Sequence, residues 1–368
     1  MDVDKKNDSL GTLYDFNVDL TSFKKAIKTI GEHCKENTLI LVETTVPPGT
    51  CQKIVKPIIY SCLEKRNLST QQIRIGHSYE RVMPGPGYID SIQSFYRVYS
   101  GINEKSADAV ESFLHTIIRT DKYPLTRLRN TNATEMAKVL ENSYRAMNIA
   151  FMVEWSRFAE EAKVNLYEVV DAIRLRPTHA NLMYPGIGVG GYCLTKDALL
   201  ASWARQNLIG KSDPLSQSEI AININDQMPR FAFEFLKKHY PNLEESKILL
   251  LGVSYRGDVG DTRFSPVEKL YNYLTEAGAN ISCHDPYVKY WGEQSLKIYE
   301  NLSTHLNQSL DIIILSTGHS IYKQDKTVDK IYNLEPLLIF DTIGHLSNKQ
   351  INRLKKKHTV KVLGRGDI

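Results

Sequence analysis

The stretch Lys247-Ile-Leu-Leu-Leu-Gly-Val253 is a continuous apolar run with the length of one β-strand. Uninterrupted apolar strands are typical of parallel sheets that are buried on both faces. Further along the chain, a helical segment at residues 267–277 alternates with apolar strands at 280–284, 311–317, 337–341 and 360–364. This alternation predicts a β/α domain with a parallel sheet over residues 242–368.

A second β/α pattern stands near the start of the chain. An amphipathic helix at residues 20–36 leads into an apolar strand at 38–43, and shorter strands follow at 72–75 and 96–101. Thr44-Thr-Val-Pro-Pro-Gly-Thr50 comes directly after the first strand, where open α/β sheets bind their ligands. A plain turn with Thr50 as a helix cap is at least as well supported by spacing alone. We assign residues 1–125 to this domain.

A long amphipathic helix at residues 132–163 predicts a helical domain between the two, over residues 126–241. Asn132 and Glu135 have the spacing of a capping box. Lys138 and Asn142 lie one turn apart, so both can point at one small object, although a solvated polar face is the ordinary interpretation. The apolar positions at helical spacing predict a core-facing stripe: Met136, Val139, Leu140, Met147, Ala150 and Phe151.

The loop Pro185-Gly-Ile-Gly-Val-Gly-Gly-Tyr-Cys-Leu-Thr-Lys-Asp197 carries four glycines in six positions and one cysteine. Its backbone can approach a ligand closely, and Cys193 stands just before a helical segment, as a reactive thiol would. The alternative is an incidental buried cysteine. A Gly-x-Gly-x-x-Gly match at Gly186, Gly188 and Gly191 is not a dinucleotide fingerprint, because no apolar strand precedes it.

Glu80 and Arg81 follow the strand at residues 72–75 and form a pair of adjacent charges at a strand end. They suit general acid/base work or the binding of an anionic ligand. Most such pairs are only surface ion pairs.

Composition excludes several other classes. The 368 residues are 42% apolar and 24% charged, with a net charge of +4, which does not favour nucleic-acid binding. No window approaches the roughly 18 apolar residues of a membrane span, and the charged N-terminus does not resemble a secretory signal. The five cysteines are scattered, so they predict free thiols in a reducing cytoplasm and no metal site.

Five stretches, taken in order, resemble the UDP-glucose/GDP-mannose dehydrogenase family, the nucleotide-sugar 6-dehydrogenases. They are Glu43-Thr-Thr-Val-Pro-Pro-Gly-Thr50, Tyr79-Glu-Arg-Val-Met-Pro-Gly85, Glu135-Met-Ala-Lys-Val-Leu-Glu-Asn142, the 185–197 loop, and Leu251-Gly-Val-Ser-Tyr-Arg-Gly-Asp-Val-Gly-Asp-Thr-Arg-Phe-Ser-Pro266. The resemblance covers nearly the whole chain. It implies an α/β protein with a Rossmann-like N-terminal domain that binds NAD, a central helical dimerisation domain and a C-terminal Rossmann-like domain that binds a UDP-sugar.

The resemblance also implies a set of roles. Cys193 matches the nucleophile that forms a thiohemiacetal and then a thioester with the sugar C6. Lys138 and Asn142 match the pair that stabilises oxyanion charge, Asp197 matches the carboxylate that orients the lysine and a water, and Glu80 matches the residue that manages thioester hydrolysis.

Further positions match residues that bind the ligands. Thr45 matches a hydroxyl near the nicotinamide, and Arg263 matches a residue that reaches the cofactor. The expected substrate-binding residues are Arg81, Gly188, Gly190, Gly191, Tyr255 and Arg256.

The chain departs from the family pattern at its start and in the substrate site. No Gly-x-Gly-x-x-Gly turn precedes Leu20, so we expect an incomplete NAD-binding domain that lacks its N-terminal part and has lost the phosphate site. Arg256 replaces the usual lysine, His179 falls near the usual position of an arginine, and Ile343 takes the place of a basic residue.

The expected function is NAD-dependent oxidation of the C6 alcohol of UDP-N-acetylhexosamine or UDP-glucose. The form Tyr79-Glu-Arg-Val-Met-Pro-Gly85 favours the N-acetylhexosamine branch weakly. One alternative is an inactive, truncated remnant that binds UDP-sugar or pairs with an intact subunit. A thiol acyl transferase or protease ranks last, since it would need a histidine such as His179 beside Cys193. We expect a cytoplasmic homodimer.

Overall fold

The computed structural model describes residues 1–8, 10–82, 87–298 and 301–368. The chain forms two compact units. Unit 1 comprises Met1–Lys6, Tyr14–Tyr144 and Lys196–Glu219, and unit 2 comprises Asn7–Leu13, Arg145–Thr195 and Ile220–Ile368. Within the described residues, no helix is both long enough and apolar enough to cross a membrane.

The N-terminal part of the chain alternates strands and helices after an initial strand pair. Its elements are β1 (Asp2–Asn7), β2 (Leu13–Asp19), α1 (Thr21–His33), β3 (Leu39–Val42), a π-helical turn (Cys51–Val55), α2 (Lys56–Lys65), β4 (Arg74–Ser78), α3 (Tyr88–Gln93), β5 (Val98–Gly101), α4 (Glu104–Leu114) and β6 (Thr126–Arg127).

The sheet of unit 1 has the described strand order β3-β4-β5-β6 and is covered on both faces. It is mixed, because β4 and β5 run antiparallel while β3 is parallel to β4 and β5 to β6. Ile40 and Val42 of β3 pack in a cluster with residues of α1 and α2, whereas Leu39 and Leu41 pack against the cluster that contains α4. Burial of both faces explains why this strand has no polar alternation.

Helix α5 (Thr131–Glu161) confirms the long helix that the sequence predicts, but two details of that prediction were wrong. The side chain of Asn130 accepts the N–H of Ala133 at 3.0 Å, so Asn130 is the N-cap, and Glu135 belongs to no capping box. Of the six expected core positions only Val139 and Ala150 are buried, while Met136, Leu140, Met147 and Phe151 are exposed.

The rest of the chain supplies three further long helices before it returns to alternating strands and helices. The elements are α6 (Leu166–Arg174), a 3-10 turn (Pro177–His179), α7 (Asp197–Asn207), α8 (Ser216–His239), β7 (Lys247–Leu251), α9 (Pro266–Glu276), β8 (Asn280–His284), β9 (Tyr290–Trp291), a 3-10 turn (Gly292–Gln294), β10 (Leu296–Lys297), α10 (Leu302–Leu306), β11 (Ile312–Leu315), a 3-10 turn (Ser320–Lys323), α11 (Asp325–Tyr332), β12 (Leu338–Asp341), α12 (Asn348–Leu354) and β13 (Thr359–Val362).

The sheet of unit 2 is parallel in its described strands, with the order β13-β12-β11-β7-β8. Ile248 and Leu250 pack in one core cluster, and Leu249 and Leu251 in another on the opposite face. The strand order reverses direction at β7, which has β8 on one side and β11 on the other. Open α/β sheets bind ligands at the carboxyl end of such a switch point, here after Leu251 and Leu315. The predicted α/β fold class is confirmed.

His77 is a fully buried histidine near the end of β4, and its ring Nδ1 lies 2.9 Å from the Thr134 hydroxyl. Burial lowers the pKa of His77 to about 4, and a backbone hydrogen bond with Thr44 offsets this only in part. The ring is therefore neutral in the folded protein at pH 5 to 6, where it binds a proton in the unfolded chain.

We predict that the free energy of unfolding falls as the pH drops from about 6.5 to about 4, because the unfolded chain gains a proton that folded His77 does not. The loss from this residue amounts to about 3 kcal/mol. In urea unfolding across this pH range, the free energy of unfolding of His77→Asn should depend less steeply on pH than that of the wild type. The exposed His33 provides the control, since His33→Asn should keep the wild-type slope. An unchanged slope in His77→Asn would contradict the assignment.

Candidate active site

In unit 1, one face of helix α5 carries buried polar side chains. Lys138 is 8% exposed and Asn142 is 5% exposed. The ammonium of Lys138 donates to the carbonyl of Glu80 at 3.2 Å and lies 5.4 Å from the ring centre of Tyr79. The amide of Asn142 donates to the Asp197 carboxylate at 2.7 Å. Unit 1 thus brings together four residues expected from the sequence, and the solvated-face interpretation was wrong for Lys138 and Asn142.

Asp197 begins α7 and has a second partner that the sequence did not identify. Its carboxylate lies 3.0 Å from the ammonium of Lys196, and both side chains are buried. A buried ion pair of this kind must be well satisfied, because an unpaired buried charge is costly. Asp197 therefore orients Lys196 as well as Asn142. The signal for Lys196 was its position in the 185–197 loop, three residues after Cys193.

Glu135 is another buried residue of this face of α5, which the sequence analysis placed in a capping box. Its carboxylate accepts the backbone N–H of Gly49 at 2.6 Å and that of Cys51 at 2.8 Å. Burial raises the pKa of Glu135, and these hydrogen bonds counteract part of the rise. The contact ties α5 to the Pro-Pro-Gly turn that follows β3.

Arg81 is held by side chains of its own unit. Its guanidinium donates to the Glu141 carboxylate at 3.1 Å and to the Tyr96 carbonyl at 3.0 Å, and it lies over the rings of Tyr79 and Phe95. Its substrate role stays a prediction. The last three residues of the motif Tyr79-Glu-Arg-Val-Met-Pro-Gly85 lie outside the described residues.

In unit 2, the glycines of the 185–197 loop lie against a tyrosine. A Cβ at Gly190 would lie 2.4 Å from Cβ of Tyr255, and one at Gly191 would lie 2.9 Å from its ring. The N–H of Gly191 also donates to the Arg263 carbonyl at 3.0 Å. Gly188, with a φ of +126°, packs on Asn225 in the same way. Close backbone approach, rather than flexibility, explains these glycines.

Cys193 is exposed at the end of this glycine stretch. Burial raises the pKa of Tyr255, and the nearby charge of Asp261 and Cys193 raises it further, while Arg256 and Arg263 lower it. These charged groups therefore lie near enough to Tyr255 to act on its hydroxyl within unit 2. The guanidinium of Arg263 forms two hydrogen bonds with Asp261, at 3.0 and 2.7 Å.

Comparison with known proteins supports the resemblance in all three parts of the chain. Models of the UDP-glucose/GDP-mannose dehydrogenase family match residues 7–118 (NAD binding domain), 132–227 (central domain) and 249–348 (UDP binding domain). A UDP-N-acetyl-D-mannosamine dehydrogenase of Methanococcus maripaludis is 31% identical over 355 residues, which are 95% of this chain and 75% of that protein. The chain belongs to the UDP-glucose/GDP-mannose dehydrogenase family.

Other dehydrogenases of this family are also similar to this chain. The UDP-N-acetyl-D-mannosamine dehydrogenase of Methanocaldococcus jannaschii is 33% identical over 306 residues, covering 83% of this chain and 65% of that relative. This chain therefore spans about two thirds to three quarters of the length of these relatives. Among solved structures, UDP-D-ManNAc dehydrogenase of Pyrococcus horikoshii has 28% identity and a TM-score of 0.78, over 95% of this chain and 78% of that one. An NDP-N-acetyl-D-galactosaminuronic acid dehydrogenase of Methanosarcina mazei has 26% identity and a TM-score of 0.80, over 95% and 74%.

These matches correct one expectation and confirm another. The NAD binding domain model matches residues 7–118, so the expectation that the chain lacks the N-terminal part of this domain is wrong. That expectation rested on the missing Gly-x-Gly-x-x-Gly turn, but the alternating strands and helices of the domain do not depend on such a turn. The prediction of an NAD-dependent nucleotide-sugar dehydrogenase is confirmed at the level of the family.

The carboxyl ends of β3 and β4 are where an open α/β sheet would bind NAD. Thr45 is half-buried after β3, and Glu80 follows β4. The Glu135 carboxylate accepts the Gly49 and Cys51 amides at the start of the helical segment after β3, and it would repel a phosphate there. The pyrophosphate therefore needs other donors, and the role of the Thr45 hydroxyl near the nicotinamide stays a prediction. Among the described residues, no group of three His, Cys, Asp or Glu side chains could hold a metal ion.

Proposed function

We propose that this chain oxidises the C6 alcohol of a UDP-sugar to the carboxylate in two hydride transfers. The observation that carries the proposal is the buried polar face of α5, where Lys138 and Asn142 are fixed by Glu80 and Asp197. A buried, preorganised cation and amide are suited to stabilising developing oxyanion charge. Bound NAD supplies the hydride acceptor.

The chemistry of this chain's own residues follows from the family roles. In the second oxidation, the Cys193 thiolate adds to the aldehyde carbon, and the carbonyl oxygen becomes an oxyanion that Lys138 and Asn142 stabilise. Loss of hydride from the same carbon leaves a thioester. Water then attacks this thioester, with Glu80 as acid/base and Asp197 orienting the attack. The products are the uronate and the free thiol.

We favour UDP-N-acetylhexosamine over UDP-glucose as the substrate. The two archaeal relatives described above are UDP-N-acetyl-D-mannosamine dehydrogenases, and a UDP binding domain model matches residues 249–348. Arg81, Tyr255, Arg256 and the backbone of the 188–191 glycines are the proposed substrate contacts, and Thr45 and Arg263 the proposed cofactor contacts. An inactive remnant is less well supported, since all three family models match.

We further propose a homodimer that forms through α5. Its large exposed apolar residues follow helical spacing along the whole helix: Met136, Leu140, Tyr144, Met147, Phe151, Trp155 and Phe158. An apolar stripe of this length marks a contact surface, and the sequence-based division into residues 1–125, 126–241 and 242–368 places it in the central domain. The scattered free thiols favour the cytoplasm.

Cys193→Ser should lower the rate of UDP-sugar oxidation about a thousandfold or more, because a neutral hydroxyl is a far weaker nucleophile than a thiolate. NADH formation under saturating substrates measures this. Cys34→Ser provides the matched control, since Cys34 is a half-buried thiol of unit 1. Turnover of Cys193→Ser at the wild-type rate would refute the nucleophile assignment.

Phe151→Asp should convert the dimer to a monomer, because it buries a charge in the middle of the apolar stripe. Light scattering during size-exclusion chromatography gives the mass directly. Glu154→Gln changes an exposed residue of the same helix and should leave the dimer intact. A wild-type protein that is monomeric at micromolar concentration would contradict the proposal.

A further inference from the structure

Asp285 is a buried carboxylate that lies directly after β8 in unit 2, outside every role named above. Its Oδ2 accepts the N–H of Val253 at 2.9 Å, the N–H and hydroxyl of Ser254 at 3.1 and 3.0 Å, and Nε2 of His319 at 3.0 Å. Its Oδ1 accepts the N–H of Tyr287 at 2.9 Å. Burial raises the pKa of Asp285, but these hydrogen bonds outweigh it and lower the pKa below its ordinary value.

His319 is fully buried and connects Asp285 to Asp258, at the other end of the segment formed by residues 254–258. Its Nδ1 accepts the backbone N–H of Asp258 at 2.9 Å. A nitrogen that accepts an N–H carries no proton, so the ring proton is on Nε2 and is donated to Asp285. The hydrogen bonds thus determine one tautomer of the ring.

Together, these two side chains anchor residues 254–258 at both ends. Thr317 adds a hydrogen bond from its hydroxyl to the Ser254 carbonyl at 2.6 Å, and the Ser320 N–H donates to the Asp258 carboxylate at 2.8 Å. The segment lies at the carboxyl ends of β7 and β11, which is the switch point of the sheet. Its backbone has little freedom there, because a Cβ at Gly257 would lie 2.2 Å from the Gly318 carbonyl oxygen.

The anchored segment in turn supports the glycine loop. Tyr255 is its second residue, and Gly190 and Gly191 pack directly on the Tyr255 side chain. Cys193 is only two residues beyond Gly191. A displacement of residues 254–258 would therefore pass through Tyr255 to the loop that carries the thiol.

We infer that Asp285 and His319 are positioning residues that hold residues 254–258, and through Tyr255 the glycine loop, in the geometry that substrate binding and the Cys193 thiol require. The inference rests on the proposed function for its kinetic part only. Its structural part concerns the thiol and can be measured without substrate.

The test is Asp285→Asn, which keeps the shape of the side chain but replaces one acceptor oxygen with a donor. We expect the KM for UDP-sugar to rise about tenfold or more, with a smaller fall in kcat, because the segment that carries Tyr255 and Arg256 is loosened. In the protein without ligands, iodoacetamide should alkylate Cys193 about threefold faster or more, because the loosened loop samples more open conformations. Mass spectrometry of the Cys193 peptide separates it from the other thiols.

Asp311→Asn is the matched control. Asp311 also accepts a backbone N–H, that of Lys247 at 2.8 Å, but at the opposite end of the same sheet. It should change neither the KM nor the alkylation rate. If Asp285→Asn fails to fold, His319→Asn takes its place, because the asparagine amide oxygen can still accept the Asp258 N–H while the Nε2 donor to Asp285 is lost, and both readouts should shift in the same direction.

Wild-type alkylation and KM in a folded Asp285→Asn or His319→Asn variant would overturn the inference. If wild-type protein oxidises no UDP-sugar, the proposed function fails, and the alkylation rates still decide whether the two residues position the thiol loop.

Discussion

Gly190 and Gly191 lie directly against Tyr255, and this contact positions the glycine loop of unit 2. A single added carbon at Gly190 would overlap the tyrosine, so the loop cannot shift toward the 254–258 segment without displacing it. That segment lies at the switch point of a parallel sheet, and buried hydrogen bonds from Asp285 and His319 hold it there. The rigidity of the sheet is thereby transferred to an exposed thiol, which is how a reactive group on a loop obtains a defined geometry.

In unit 1, one helix, α5, orients the buried polar side chains. Three side chains of α5, Glu135, Lys138 and Asn142, contact three separate segments: the turn after β3, the end of β4 and the start of α7. All three are buried, so each must have its partners in place. The same contacts that dock the helix also orient a lysine and an amide for chemistry.

The sequence was sufficient for the sheet of unit 2 because its central strands are uninterrupted apolar runs, as in residues 247–253. It was less sufficient for unit 1, where the buried strand β4 carries His77 and Ser78. It was insufficient for α5, since helical periodicity identifies an apolar face but not whether the core or a second subunit covers it. The sequence predicted that the backbone of the glycine loop approaches a ligand, and the structure shows Gly190 and Gly191 close to Tyr255 instead, so the contact with substrate stays a prediction. Asp285 and His319 could not be found in this way, because they are 34 residues apart and their meeting depends on β8 and β11 flanking β7.

We propose that this chain carries out two successive oxidations at one carbon through a thioester. The most direct measurement is the number of NADH molecules formed per molecule of UDP-N-acetylmannosamine when the sugar is limiting, with the product identified by mass spectrometry. We expect two NADH and the uronate, since the aldehyde is captured by a thiol before it leaves. One NADH with release of the aldehyde, or no NADH with any UDP-sugar, would contradict it.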